Sequence, residues 1–187
     1  MKRTFLLSPA NLGGVRGQRV LTGCSRFDFS GGVPLGEVFT YISGLYFRGK
    51  LQYAQSFGVP LVITAGFGLM PADQRIGMDQ LTRMSTVPID ASEALYREPL
   101  ERDACAIDTS SEIVLLGSLA TPKYIEPLLR IFGTRLLIPA EFLGLGDMSR
   151  GGLMLQCVRS GQELAYVPAI TVCESTLLAD AAERNPQ

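Results

Sequence analysis

The feature that most constrains this chain is a series of short apolar runs, each giving out in glycine or proline before a stretch of helical periodicity. Phe5-Leu6-Leu7 stops at Ser8-Pro9, Pro60 to Ala65 breaks at Gly66-Phe67-Gly68, Glu112 to Leu116 runs into Gly117-Ser118, and Arg135 to Ile138 follows. Proline lacks the N–H a ladder needs, and runs this short bounded by turn residues read as buried strands. Glu163 to Val167 reads as a fifth strand or a tail along the sheet. Between the strands, apolar positions recur every three or four residues from Leu35 to Phe57, the longest expected helix, with Gly44 and Gly49 marking close packing or a bend and Gly58 its end.

Shorter helices are expected over Val15 to Thr22, over one turn from Asp79 to Met84, and from a Ser92 cap to about Ile107 with Pro99 weakening its first half. Thr121 and Pro122 have the chemistry of an N-cap and a first helical residue for a helix to about Phe132, interrupted at Pro127. Asp147 or Ser149 caps a last helix ending near Gly161. Strands alternating with helices in this way specify an α/β fold: one domain over residues 1–175, a mostly parallel central sheet of about five strands with helices on both faces, and a polar tail over 176–187. Gly66 to Pro71 is expected to be loop.

With 187 residues, 47% of them apolar, the chain has enough material for one core and no apolar segment of membrane-spanning length. The N-terminal apolar run is shorter than a secretory segment requires, so a cytoplasmic location is the expectation. Cys24, Cys105, Cys157 and Cys173 are too scattered for a zinc knuckle or a disulfide framework and are expected to be reduced and mostly buried. Seventeen basic against eighteen acidic residues leave a net charge of −1, so any contact with nucleic acid is local. The chain has no histidine, which excludes Ser-His-Asp and Cys-His catalysis and His-ligated zinc from this chain alone. No cofactor is assigned by any motif.

In open parallel sheets, ligands collect at the carboxyl ends of the strands. The candidate site is therefore drawn from the segments leaving those ends. Ser8, Asn11, Gly13, Gly14 and Arg16 follow the first strand; Gly66 and Gly68 follow the second; Gly117, Ser118 and Thr121 follow the third; Ser149 and Arg150 follow the fourth. Backbone N–H groups in Gly117 to Thr121 suit a phosphate, carboxylate or polarised carbonyl, although the spacing is neither a Walker motif nor Gly-x-Gly-x-x-Gly. Arg48 joins the ligand-binding set, while Tyr46, Arg48 and Lys50 together read most simply as a solvated basic face. Glu101-Arg102-Asp103 reads as a solvated helical face.

Leu7-Ser8-Pro9-Ala10, Tyr46 to Lys50, Gly66 to Pro71, Ala120 to Tyr124 and Met148-Ser149-Arg150-Gly151-Gly152 occur in the order of landmarks of the YaaA family of peroxide-stress proteins. The chain resembles that family over about half its length, with Asn11 standing where the family carries a lysine. The resemblance implies a related α/β core, involvement in DNA binding or oxidative-stress protection, and kinship with domains of enzymes that modify deazaguanine nucleosides. Carried over by position, it points to Ser8, Asn11, Gly68, Lys123, Tyr124, Ser149 and Arg150.

These readings converge on a nucleotide- or nucleobase-handling enzyme. Asp147 is its expected general base, Lys123 its charge stabiliser and Tyr124 a base-stacking or acid group. A small nucleotide-like ligand is the expected partner. The alternatives are a non-catalytic DNA-binding protein using Arg16, Arg48, Lys50 and Arg150 on one face, and a protein-interaction module presenting Phe67, Leu69 and Met70 as an apolar patch.

Overall fold

Three consecutive apolar residues in Phe5-Leu6-Leu7 leave a strand without a polar face, so it is stable only with both sides covered. The computed structural model, which describes residues 3–118 and 122–172, shows that arrangement. In chain order, β1 (Arg3–Leu7) is followed by α1 (Val15–Leu21), β2 (Val33–Pro34), α2 (Leu35–Ser43), α3 (Leu45–Phe57), β3 (Val59–Thr64) and β4 (Gly68–Pro71). Next come β5 (Arg75–Ile76), α4 (Met78–Thr86), α5 (Ala94–Cys105), β6 (Glu112–Leu116), α6 (Pro122–Phe132), β7 (Leu136–Pro139), α7 (Asp147–Ser160) and β8 (Tyr166–Pro168).

The main sheet has six strands in the order β4-β3-β1-β6-β7-β8. β1 pairs in parallel with β3 and β6, and β6 with β7, while β4 and β8 are antiparallel edges. Side chains alternate across it, since successive strand residues point to opposite faces. Phe5, Leu7, Val62, Val114 and Leu116 join the cluster containing α2, α3 and α7 residues. Leu6, Ile63, Ile113 and Leu115 join Tyr96 and Leu100 of α5 and Tyr124 and Leu128 of α6 in the other. The result is a three-layer α/β/α domain.

Several local expectations change. The helix over Leu35 to Phe57 is two helices, because Gly44 takes φ 62°, a left-handed conformation that ends α2 and starts α3. Gly68 to Pro71 is a strand, not a loop: it folds back on β3 as a hairpin, turned by Gly66 and Gly68 at φ 81° and 71°, and adds a sixth strand to the expected five. Glycine thus relocates pairing here instead of ending it. The turn expected at Asp79 to Met84 is a full helix. Glu93, not Ser92, caps α5 by accepting from the Leu95 N–H, while Ser92 donates to Asp90. Gly146 occupies the cap of α7, so Asp147 is its first helical residue, and Gly161 closes it at φ 68°. Thr121, Cys173 and the tail expected over 176–187 lie outside the described residues. Cys24 and Cys105 are exposed and only Cys157 of the described cysteines is buried, against the expectation of mostly buried thiols.

Candidate functional site

The chain leaves β1 toward the face that carries α1, α2 and α3 and enters β3 on one side. It leaves β6 toward the opposite face, through α6, and enters β7 on the other side. The two connections diverge between β1 and β6, which makes that boundary the topological switch point, where open α/β sheets form their ligand crevice. Ser8 is the first residue past β1 and Gly117 the first past β6, joined by the Ser8 N–H donating to the Leu116 carbonyl at 3.2 Å. A Cβ at Gly117 would lie 3.2 Å from the Ser8 Cβ and 3.5 Å from its Oγ, so glycine lets the two strand ends approach this closely.

Into this boundary comes a lysine that the sequence reading left on a solvated face. Tyr46, Gly49, Lys50 and Tyr53 lie at i, i+3, i+4 and i+7 of α3 and are all buried, Lys50 to 1% exposure. Arg48, two residues earlier, is turned about 200° around the helix and is exposed, beside Arg26 and Glu37. The Lys50 Nζ donates to the Ser8 carbonyl at 2.6 Å and approaches the Ser8 Oγ at 2.8 Å. It also lies 4.4 Å from the Tyr46 ring centroid and 4.9 Å from that of Phe47. Burial without a paired carboxylate lowers its pKa from 10.5 to about 7, only partly opposed by Asp147. The signal was present in the sequence as a lysine at an apolar-stripe position.

α7 delivers the next groups. It crosses α3 at two glycines: a Cβ on Gly49 would lie 2.7 Å from the Gly151 carbonyl oxygen, and one on Gly151 3.0 Å from the Leu45 carbonyl oxygen. This close approach brings the first turn of α7 to Tyr46. Asp147 is 63% exposed and 3.6 Å from Arg150, whose guanidinium donates to the Phe142 carbonyl at 2.9 and 3.2 Å. Among the described residues the buried Tyr46 hydroxyl makes no hydrogen bond of normal geometry, and its one close polar neighbour is the Arg150 guanidinium. Burial first, and Asp147 second, raise the phenol's pKa, opposed by the hydrogen bonding and charge of Arg150. From the opposite layer, burial followed by the nearness of Tyr46 and Asp147 pushes Tyr124 up to about 12, so its phenol stays protonated and can donate. Lys123 places its Nζ 5.1 Å from the Tyr124 ring centroid, and the Tyr96 hydroxyl holds the Lys123 carbonyl at 2.8 Å.

The fold thus gathers Ser8, Gly117, Lys123, Tyr124, Asp147 and Arg150 around one boundary, with Ser118 following Gly117 and Ser149 exposed on the same first turn as Asp147. Tyr46 and Lys50 join them. Other expected site residues serve the backbone. Asn11 accepts from the Gly13 N–H at 3.0 Å and shapes the loop, and Gly14 is the cap of α1. Arg16 reaches the Tyr41 carbonyl at the end of α2. A Cβ on Gly68 would strike Asp103 and the Pro99 carbonyl, while Asp103 accepts from the Leu69 N–H at 3.0 Å, so Asp103 is a structural partner rather than a solvated charge. Beside the crevice, at the carboxyl ends of β1 and β3, a cavity of about 150 Å³ opens among Ala10, Asn11, Phe39, Ala65, Met84 and Val87.

Two surfaces expected of the alternative functions change form. Arg48 and Lys50 do not share a face, because Lys50 is buried. Phe67 and Leu69 are partly buried and packed against the two cores, and Met70 is buried, so they form no exposed patch. Among the described residues no helix is long and apolar enough to cross a membrane, and no group of three or more acidic or cysteine side chains is placed to hold a metal ion.

Fold and site together define a small α/β domain with a polar, aromatic-walled switch point. No protein-family model, curated protein or solved structure matches the chain.

Proposed function

We propose that the chain is a nucleotide- or nucleobase-handling enzyme whose site is the boundary between the carboxyl ends of β1 and β6, of the type that the YaaA resemblance implies. The observation that carries this reading is the meeting of the buried Tyr46 hydroxyl, which makes no hydrogen bond of normal geometry among the described residues, with Tyr124 and Arg150. Arg150 alone of the described residues reaches that phenol, so the hydroxyl keeps hydrogen-bonding capacity for a ligand, and it stands with Tyr124 and Lys50 at the place where α/β sheets take ligands. A planar base with ring carbonyls and nitrogens matches this set. Tyr124 supplies an aromatic wall and a donor, Tyr46 a second donor, and Lys123 and Arg150 the positive charge that an anionic or polarised oxygen requires. Asp147, open to solvent on the first turn of α7, is the group placed to take a proton from a bound molecule or a water. The neighbouring cavity of about 150 Å³ has room for a ring-sized substituent.

A panel of nucleobases, nucleosides and nucleotides, followed by thermal shift and by turnover, tests the reading. Stabilisation by at least one of them, lost in Tyr124→Ala, is the expected result. A panel in which nothing binds or reacts overturns it.

A further inference from the structure

Within that proposed site, we infer that Ser8 is a nucleophile and Lys50 its general base, a pair suited to an acyl or other carbonyl carbon carried by the nucleotide-like substrate. The inference rests on the reading above for the substrate class, and on geometry for the chemistry.

Lys50 touches one residue twice, the Ser8 carbonyl at 2.6 Å and the Ser8 Oγ at 2.8 Å. A neutral amine has donors and one lone pair. In that form it donates to the carbonyl and accepts the hydroxyl proton, which points the remaining Oγ lone pairs away from the lysine. Ser8 itself is held by its N–H on the Leu116 carbonyl, at the first position past β1, and is 5% exposed, with Gly117 packed close beside it and the cavity of about 150 Å³ beginning at the next residue, Pro9. A lysine serving only to fill this part of α3 would be expected to meet a carboxylate, since buried charges are normally paired. No carboxylate forms an ion pair with Lys50 among the described residues. The groups around it are the Tyr46 and Phe47 rings of its own helix, Ser8 just past β1, and Asp147 of α7 acting from a more exposed position. Arg150 of α7 and Tyr124 of α6 border Tyr46. Desolvation outweighs Asp147 and leaves the amine near pH 7 half unprotonated, the condition in which a lysine works as a base.

The step balances without any further reactant but water. Oγ forms a bond to the carbonyl carbon as its proton passes to the Lys50 Nζ. The ammonium returns that proton to the leaving group as the carbon–leaving-group bond breaks. Water, deprotonated by the same amine, then cleaves the ester and regenerates Ser8.

The test uses a fluorophosphonate probe on the full chain between pH 5 and 10, read by intact mass and peptide mapping. The expected outcome is one label on Ser8, absent from Ser8→Ala, with a rate that rises through an inflection near pH 7. Lys50→Met slows labelling about 100-fold or more, the lower range for removing a general base. If Lys50→Met does not fold, the wild-type pH profile decides, because an unassisted serine shows no inflection near 7. A protein that is unlabelled throughout, labelled only elsewhere, or labelled at Ser8 without that inflection overturns the pair. The two readings separate cleanly: probe labelling needs no nucleotide, so labelling of Ser8 by a protein that binds none of the panel keeps the pair and rejects the substrate class. Nucleotide binding without labelling does the reverse.

Discussion

Gly49 of α3 and Gly151 of α7 meet backbone to backbone, with the position of a Gly49 Cβ only 2.7 Å from the Gly151 carbonyl oxygen. The contact sets the distance between the helix carrying Lys50 and the helix carrying Asp147 and Arg150. Site geometry therefore depends on two residues with no side chain.

Gly49→Ala is expected to destabilise the protein by about 1–3 kcal/mol, because backbone must move to admit the methyl group. Gly152→Ala, in α7 beside Gly151 but with nothing within 4 Å of its Cβ, is expected to stabilise by about 0.4–1 kcal/mol through reduced freedom of the unfolded chain. Urea unfolding of the two variants measures both, and equal effects would remove the packing argument.

Lys50 makes stability depend on pH. Its folded pKa is near 7 and its unfolded value 10.5, so between these limits the unfolded chain holds the extra proton. Stability then rises with pH, at up to about 1.4 kcal/mol per unit, and below pH 7 the contribution to the slope vanishes as both states become protonated. The difference in unfolding free energy between wild type and Lys50→Met, measured at pH 6, 7.5 and 9, is expected to show this slope. Parallel pH profiles would mean that the lysine is not buried in solution.

Tyr46→Phe separates stability from binding. Removing a buried hydroxyl that makes no hydrogen bond of normal geometry among the described residues is expected to leave the free protein about as stable as before, while weakening whichever ligand the panel identifies. Thermal melts with and without that ligand give both numbers. A destabilised free protein would show that the hydroxyl is already satisfied.

Tyr53→Phe is the contrasting case. Its hydroxyl accepts from the buried Leu164 N–H at 2.8 Å and pairs with the Tyr166 hydroxyl at 2.5 Å. Deleting it strands that N–H at a cost of about 1–3 kcal/mol. Loss of denaturant stability, with probe labelling of Ser8 unchanged, is the expected combination.

The main strands were legible because each is a brief apolar run ended by glycine or proline, and the alternation with helices was enough to specify a mostly parallel sheet. The sequence also placed Ser8, Gly117, Tyr124, Asp147 and Arg150 near strand ends, since a local rule governs where loops leave a sheet. It was less informative where the decision is non-local. Gly66 to Pro71 has the composition of a loop, yet pairs with β3, because two left-handed glycines turn the chain back and Asp103 receives the Leu69 N–H. Gly44 was visible as a bend, but that α2 ends there depended on its backbone angle. Lys50 occupied an apolar-stripe position in plain view, and its length and charge favoured a solvated reading.

What the sequence by itself determined is the class of fold and the set of turns from which a site would be drawn, because strand ends and helical stripes are written in nearest neighbours. Only the tertiary structure decided which of those turns meet, that Lys50 faces Ser8, and that Arg48 faces away. Those outcomes depend on strand order and on two helices approaching through glycine. Burial then bears on chemistry: an amine that is almost fully charged at neutral pH in water has its pKa lowered toward neutrality.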